Sequence, residues 1–264
     1  MTTAIDDGFV QDVQRHQDAR NRRLRSGDGW LSLVGRWVLS EGDNDIDIGT
    51  ATLAGGAVTL KLALGVDGTV DGRALRQHTW AADAPGPGPY LVVGARRYEL
   101  LRQADRVAVR VRDPQSPALT AFTGLAFYPP NAGARVQARL VGEPGTLTLA
   151  TGLGAVVEHA SPGTLSFTLD GQALTLDPVI EADDPSRLFL IFKDRTNGDT
   201  TYGAGRFLYA PLPDASGRVI VDFNKAYNPP CALTEFAACP VCPPQNRLAV
   251  KIEAGEKTFH AHGT

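Results

Sequence analysis

The chain has 264 residues, 26 Lys and Arg against 29 Asp and Glu, and a formal net charge of −3. Hydrophobic residues make up 43% and charged residues 21%, the mix of a soluble globular protein with enough chain for a large core. The near balance of charge argues against a nucleic-acid reader, which needs a basic excess or a basic face, and no apolar run reaches the roughly 18 residues of a membrane span.

With 28 Gly and 18 Pro, the composition is turn-rich and poor in long helices. Met1 to Asp7 carries no positive region followed by an apolar one, so it does not read as a secretory signal; a cytoplasmic location follows by default. A helix is expected from about Asp6 to Leu24, where Phe9, Val13, Gln17, Arg20 and Leu24 recur at helical spacing without Gly or Pro after Phe9. Its apolar stripe is thin, which suits a helix lying across the outside of a sheet. Ser26-Gly27-Asp28-Gly29 ends it.

From Trp30 the pattern turns strand-like. Trp30–Val34, Trp37–Leu39, Ala57–Leu62, Thr69–Val70, Tyr90–Val93, Tyr98–Leu101 and Val107–Val111 read as strands, with Asp67-Gly68 as a hairpin signal. The prolines of Ala84–Pro89 exclude regular structure there. After a Pro-, Ser- and Thr-rich boundary at Asp113–Ala132, strands are expected at Arg135–Val141, Thr146–Ala150, Thr164–Leu169 and Leu188–Lys193. Four more follow at Tyr202–Tyr209, Arg218–Phe223, Leu248–Ile252 and Thr258–His260, and Asp170-Gly171 and Ser216-Gly217 read as tight turns. The expected fold is all-β: an N-terminal helix and turn (1–29), a first sandwich-like module (30–115) and a second sandwich- or barrel-like module (116–264).

The second module holds the densest polar stretch, from Asp194 to Arg247. If strands Tyr202–Tyr209 and Arg218–Phe223 pair through the intervening turn, Arg206 and Asp222 share one surface, with Asn224 and Tyr202 nearby. Such a surface supplies a cation, a carboxylate, an amide and a phenol, which suits an anionic or polyol ligand. Gly203 and Gly205 beside it suggest a ligand approaching the backbone. The competing reading is a structural ion pair with ordinary turn residues at Asp199, Asn224 and Asn228.

Phe192–Thr196, Thr201–Tyr209 and Asp222–Cys231 together resemble the signature of a bacterial family known only as domain of unknown function 1684. Trp30–Gly35, Phe127–Pro130 and Ala254–Lys257 are similar to its other landmarks, so the likeness runs through nearly the whole chain. The resemblance implies no reaction. Leu39–Ile48 looks faintly like part of a forkhead-associated β-sandwich. It lacks that fold's phosphothreonine-reading Gly-Arg and Ser-x-x-His pattern, so only the sandwich is carried over.

The cysteines read in three ways: Cys231 as a buried structural thiol first, as a metal ligand second and as a nucleophile third. Cys239-x-x-Cys242 is a zinc half-site in spacing, with Cys231 and either His260 or His262 to complete it. Against zinc stand Pro240, Pro243 and the terminal position of both histidines. A disulfide is not expected in the cytosol, and Cys231–Cys239 is the pair to suspect in an exported protein. Gly203-Ala204-Gly205 is too short for a dinucleotide loop, and Asp194–Thr201 lacks the Glu that closes a calcium loop. Trp30, Trp37 and Trp80 read as core.

The expected function is acid/base hydrolysis or isomerisation of a polar or anionic metabolite, without a cofactor. Asp222 leads as general acid/base and Asp194 follows. Arg206 would hold an anionic or carbonyl oxygen, and Tyr202 and Tyr227 would donate hydrogen bonds. Asn224, Asn228, Thr201 and Cys231 would orient the ligand. The alternatives are a non-catalytic ligand- or protein-binding module and a zinc protein through Cys239 and Cys242. The expected partner is a small molecule, with no nucleic acid and no membrane, and a homo-oligomer is left open.

Overall fold

Strands joined by tight turns account for most of the ordered backbone in this computed structural model, which describes residues 7–83, 88–152 and 154–259. The chain divides into two compact units: Leu24–Phe122, and Thr123–Thr264 together with Met1–Arg23. Each unit is built from two open antiparallel sheets facing one apolar core. None of the sheets closes on itself, so the sandwich expectation describes them and the barrel does not. Among the described residues no helix is long and apolar enough to cross a membrane.

In the Leu24–Phe122 unit, a six-stranded sheet runs in the order Leu33–Val38, Arg106–Arg112, Arg96–Gln103, Leu91–Val93, Gly68–Val70, Arg73–Leu75. A four-stranded sheet runs Gly42–Ile46, Gly49–Ala54, Ala57–Leu62, Gln77–Trp80. Alternation sends Leu53, Val58, Leu60 and Trp80 from one sheet, and Leu91, Tyr98, Val109 and Val111 from the other, into a shared core. Two expectations fail here. Trp30–Ser32 forms a 3-10 turn, closed by the Ser32 hydroxyl on the Gly29 carbonyl at 2.7 Å, and the strand starts only at Leu33. Asp67-Gly68 is not a hairpin between its neighbours, because Ala57–Leu62 and Gly68–Val70 lie in different sheets. The hairpin is at Asp71-Gly72, where Val70 pairs with Arg73 and both turn residues have positive φ. Most of Ala84–Pro89 lies outside the described residues.

In the other unit, a four-stranded sheet has the order Gln172–Leu176, Thr164–Leu169, Arg135–Val141, Arg218–Asp222. Facing it, a five-stranded sheet runs Gly145–Ala150, Val156–Ser161, Val179–Glu181, Asp184–Phe192, Arg206–Pro211. Their core includes Leu165, Phe167, Leu176, Val219 and Val221 from the first sheet and Leu188, Leu190, Phe192, Leu208 and Ala210 from the second. Leu248, Val250 and Ile252 add to it by alternation, although the expected strands at 248–252 and 258–260 do not form; His260 is outside the described residues. The segment from Tyr202 to Gly205 is a turn, so its strand starts at Arg206.

The expected helix is α1 (Asp7–Arg25), with Phe9, Val13 and Leu24 buried. Its Asn21 side chain accepts from the Leu125 N–H at 3.0 Å. Through Arg20 it covers the Tyr227 ring, which in turn packs on Phe207 and Tyr209. Those two side chains face away from the core on the strand whose Leu208 and Ala210 face into it.

Candidate functional site

The sequence reading placed Arg206 and Asp222 on one surface. The pairing shows otherwise. Arg206–Pro211 pairs with Asp184–Phe192, whereas Arg218–Asp222 pairs with Arg135–Val141 in the opposite sheet. The connecting turn crosses between layers instead of closing a hairpin.

Arg206 instead meets Asp194 at 2.7 Å, and neither side chain reaches solvent. The guanidinium also donates to the Ile252 carbonyl at 2.8 Å and to the Ala254 carbonyl. The other oxygen of Asp194 accepts from the Thr196 N–H (2.8 Å), the Thr196 hydroxyl (2.6 Å) and the Ile252 N–H (3.2 Å). Thr201 bonds the Thr196 hydroxyl at 2.8 Å. These groups tie the 194–201 turn to the 250–256 segment; among the described residues only the Arg206 Nε is left without a partner in the pair. Gly205 likewise serves the fold: at φ +113° a Cβ there would stand 2.6 Å from the Phe192 carbonyl oxygen. The close backbone approach is made by the neighbouring strand and not by a ligand.

Asp222 ends its strand and caps the 3-10 turn Phe223–Lys225. Its Oδ1 accepts from the Asn224 N–H at 3.1 Å and the Asn224 amide at 2.8 Å. Asn224 is held in turn by the backbone of Asn131, donating to its carbonyl and accepting from its N–H, both at 2.8 Å. That leaves Asp222 Oδ2 buried and without a hydrogen-bond partner among the described residues. Asn131 also lines an open groove of about 450 Å³, with Tyr128, Pro130 and Glu253.

Around Asp222 stand charges the sequence reading passed over. The charges of Lys225, Arg20, Asp222 and Asp12 all act on the His16 imidazole. Burial lowers its pKa from the usual 6.5, Lys225 and Arg20 push the same way, and the two carboxylates oppose them, so His16 is neutral near pH 7. Lys225 pairs with Asp12 at 2.7 Å, and its hydrogen bond holds that carboxyl below the usual range. Asp12, His16, Arg20 and Lys225 are only partly buried, so this rim of the cluster meets solvent.

Next to it, Glu256 is almost fully enclosed. Its Oε1 accepts from Arg20 at 2.8 Å and its Oε2 from the Asn228 N–H at 2.7 Å. Burial raises its pKa against the attraction of Arg20. The Asn228 amide donates to the Lys257 carbonyl at 2.8 Å, while its Oδ1 is buried without a partner among the described residues. Tyr227 is half-buried under Arg20, and burial pushes its phenol up. Of the residues named from the sequence, then, Asp222, Asn224, Tyr227 and Asn228 lie along one continuous segment beside α1 and Glu256. Asp194, Arg206 and Thr201 form the enclosed network behind it. Tyr202 points elsewhere, its hydroxyl reaching the Cys231 carbonyl at 3.3 Å.

The sequence reading missed His16, Arg20, Lys225 and Glu256 as site residues. Asp12, His16 and Arg20 are spaced four apart on α1, a polar stripe as regular as the apolar one. The two thiols of Cys239 and Cys242 have different neighbours: Cys239 Sγ accepts from the Cys231 N–H at 3.2 Å, while Cys242 Sγ faces the carbonyls of Ile191, Pro243 and Asn246. Among the described residues no three His, Cys, Asp or Glu converge on a metal site, and His260 and His262 lie outside those residues.

The molecule is thus a two-unit, mostly β protein, one unit of which buries an ion pair and carries a half-exposed cluster of charged and polar side chains around Asp222. Residues 120–257, just over half the chain, match the family described as "Protein of unknown function (DUF1684)", and the chain belongs to that family. The match contains the whole segment from Asp194 to Glu256, but not α1. Among solved structures, the chain is similar to the solution NMR structure of an uncharacterized protein from Haloarcula marismortui. Identity is 30% over 55% of this chain and 83% of that one, with a TM-score of 0.45. No curated protein matches the chain.

Proposed function

We propose that the protein is a small-molecule enzyme that hydrolyses or isomerises a polar or anionic metabolite by acid/base chemistry, centred on Asp222 and His16. The observation that carries this reading is the buried, unpartnered Oδ2 of Asp222 beside a neutral imidazole. His16 accepts a proton from the substrate, and Asp222, held by Asn224, orients or relays it. Lys225 and Arg20 supply positive charge at the rim for an anionic group, and Tyr227 offers a phenol. Asp194 and Arg206 hold the frame and take no part in proton transfer.

The test begins with a panel of anionic metabolites, followed by the His16 ring resonances in NMR and by a search for turnover. A true substrate moves the His16 signals. Asp222→Asn, with its fold confirmed by circular dichroism, then lowers turnover by about 10²–10⁴-fold. Turnover that survives Asp222→Asn undiminished would refute the reading. The open groove at Tyr128 and Asn131 favours a second reading, a non-catalytic binding module. In that case ligands perturb Tyr128 and Asn131, Asp222→Asn leaves binding unchanged, and no turnover appears.

A further inference from the structure

Away from the Asp222 cluster, two of the three cysteines meet. Cys239 Sγ accepts from the backbone N–H of Cys231 at 3.2 Å, so the buried thiol of one stands against the other residue. Cys231 is half-buried and open to small solutes, whereas Cys239 is 8% exposed and Cys242 is 3% exposed. The Tyr202 hydroxyl donates to the Cys231 carbonyl at 3.3 Å. The half-buried Cys231 thus has a phenol and a buried second thiol held against its backbone.

We propose that Cys231 and Cys239 form a peroxide-reactive dithiol, with Cys231 as the attacking sulfur and Cys239 as the resolving one. The Cys231 thiolate attacks one oxygen of a hydroperoxide and the O–O bond breaks. Cys231 becomes a sulfenic acid, and the departing oxygen leaves as water or alcohol after taking a proton. Cys239 sulfur then attacks Cys231 sulfur, the S–O bond breaks, and water leaves with the Cys239 proton. Two thiols lose two electrons in all, the peroxide gains them, and one disulfide forms.

Hydrogen bonds from Cys239 and Tyr202 outweigh burial and bring the Cys231 thiol down to about 7. The same contact pushes Cys239 up, and burial holds Cys242 up at about 11. These directions favour a thiolate on Cys231 over one on Cys239 or Cys242. A Cys231–Cys239 bond closes only a short loop and constrains the unfolded chain little, which suits a reversible bond better than a structural staple. The proposal does not depend on the acid/base reading, since none of its groups touches Asp222 or His16.

The reduced full chain is treated with one equivalent of hydrogen peroxide, and free thiols are counted after denaturation. The expected result is the loss of two thiols out of three, restored by dithiothreitol. Cleavage after Glu235 separates the two partners, so mass spectrometry should find their peptides linked and Cys242 free to alkylate. In Cys239→Ser the reaction stops at a sulfenic acid on Cys231, trapped by dimedone; in Cys231→Ser thiol loss slows to the rate of the urea-unfolded chain. Wild-type thiols that oxidise no faster folded than unfolded would overturn the proposal. So would a disulfide involving Cys242, or a folded Cys239→Ser variant that gives no dimedone adduct.

Discussion

Arg206 and Asp194 are joined at 2.7 Å with both side chains wholly shut off from solvent, and the same guanidinium holds the carbonyls of Ile252 and Ala254. One residue thus fastens the C-terminal segment to the five-stranded sheet. Removing one partner of such a pair leaves an uncompensated buried charge, which costs about 3–5 kcal/mol. Arg206→Met is therefore expected to lower stability by that order, and Asp194→Asn somewhat less, because its hydrogen bonds to Thr196 partly survive. The double variant should be less destabilised than the sum. Urea unfolding followed by circular dichroism, with the three tryptophans reporting only on the Leu24–Phe122 unit, measures all three variants; an Arg206→Met variant as stable as wild type would disprove the keystone role.

Gly255 sits at φ +78°, and a Cβ there would come within 2.5 Å of the Ala226 carbonyl oxygen and 2.8 Å of that of Phe223. Both oxygens belong to the turn that follows Asp222, so neither can move without disturbing the cluster. Gly198 has a similar φ of +84° but nothing within 4 Å. Gly198→Ala therefore costs only the left-handed conformation, about 1–2 kcal/mol. Gly255→Ala adds a backbone collision and is expected to cost clearly more and to shift the Asn224 and Tyr227 NMR signals. Equal losses of melting temperature in the two variants would show that the backbone near Ala226 yields freely.

Strand composition, turn chemistry and the N-terminal helix were legible in the sequence because they are local. The period-two runs at Arg135–Val141, Thr164–Leu169 and Val107–Val111 and the stripe Phe9, Val13, Leu24 each form as read. Pairing partners were not legible. Which of two Asp-Gly pairs closes a hairpin, and whether two successive strands share a sheet, depends on contacts far along the chain. That is why strand alternation alone matches Arg206 to Asp222, when its partner in the fold is Asp194. The polar segment from Asp222 to Asn228 was visible as a dense run. Its charged neighbours His16, Arg20 and Glu256 come from the two ends of the chain, and no local window contains them together.

The His16 imidazole gives a direct check on the cluster. Its pKa is expected below 6.5 in the folded chain. Asp222→Asn removes a carboxylate that supports the charged ring and should lower it further; Lys225→Met removes an opposing cation and should raise it. Because the folded value is depressed, the unfolded chain binds this proton more readily. His16's contribution to stability is thus complete above pH 6.5 and is lost as pH falls through the folded value. NMR titration of the ring protons reads the three values, and identical values in wild type and both variants would separate His16 from Asp222 and Lys225.

Glu256 runs in the opposite direction. Burial raises its pKa above the ordinary 4.5 despite the Arg20 contact at 2.8 Å. With a raised folded value, its contribution is fully present below pH 4.5 and declines as pH rises through the folded pKa. Glu256→Gln abolishes that slope while keeping an acceptor for the Asn228 N–H, so its stability relative to wild type should improve as pH increases. Arg20→Met leaves the carboxylate enclosed with only the weaker attraction of Arg206 to offset its burial and is expected to cost about 3–5 kcal/mol at neutral pH, and less in acid where Glu256 is protonated. Urea midpoints measured from pH 4 to pH 8 for wild type and both variants decide the matter. An Arg20→Met penalty that does not shrink in acid would mean that Arg20 serves by packing over Tyr227 rather than by pairing with Glu256.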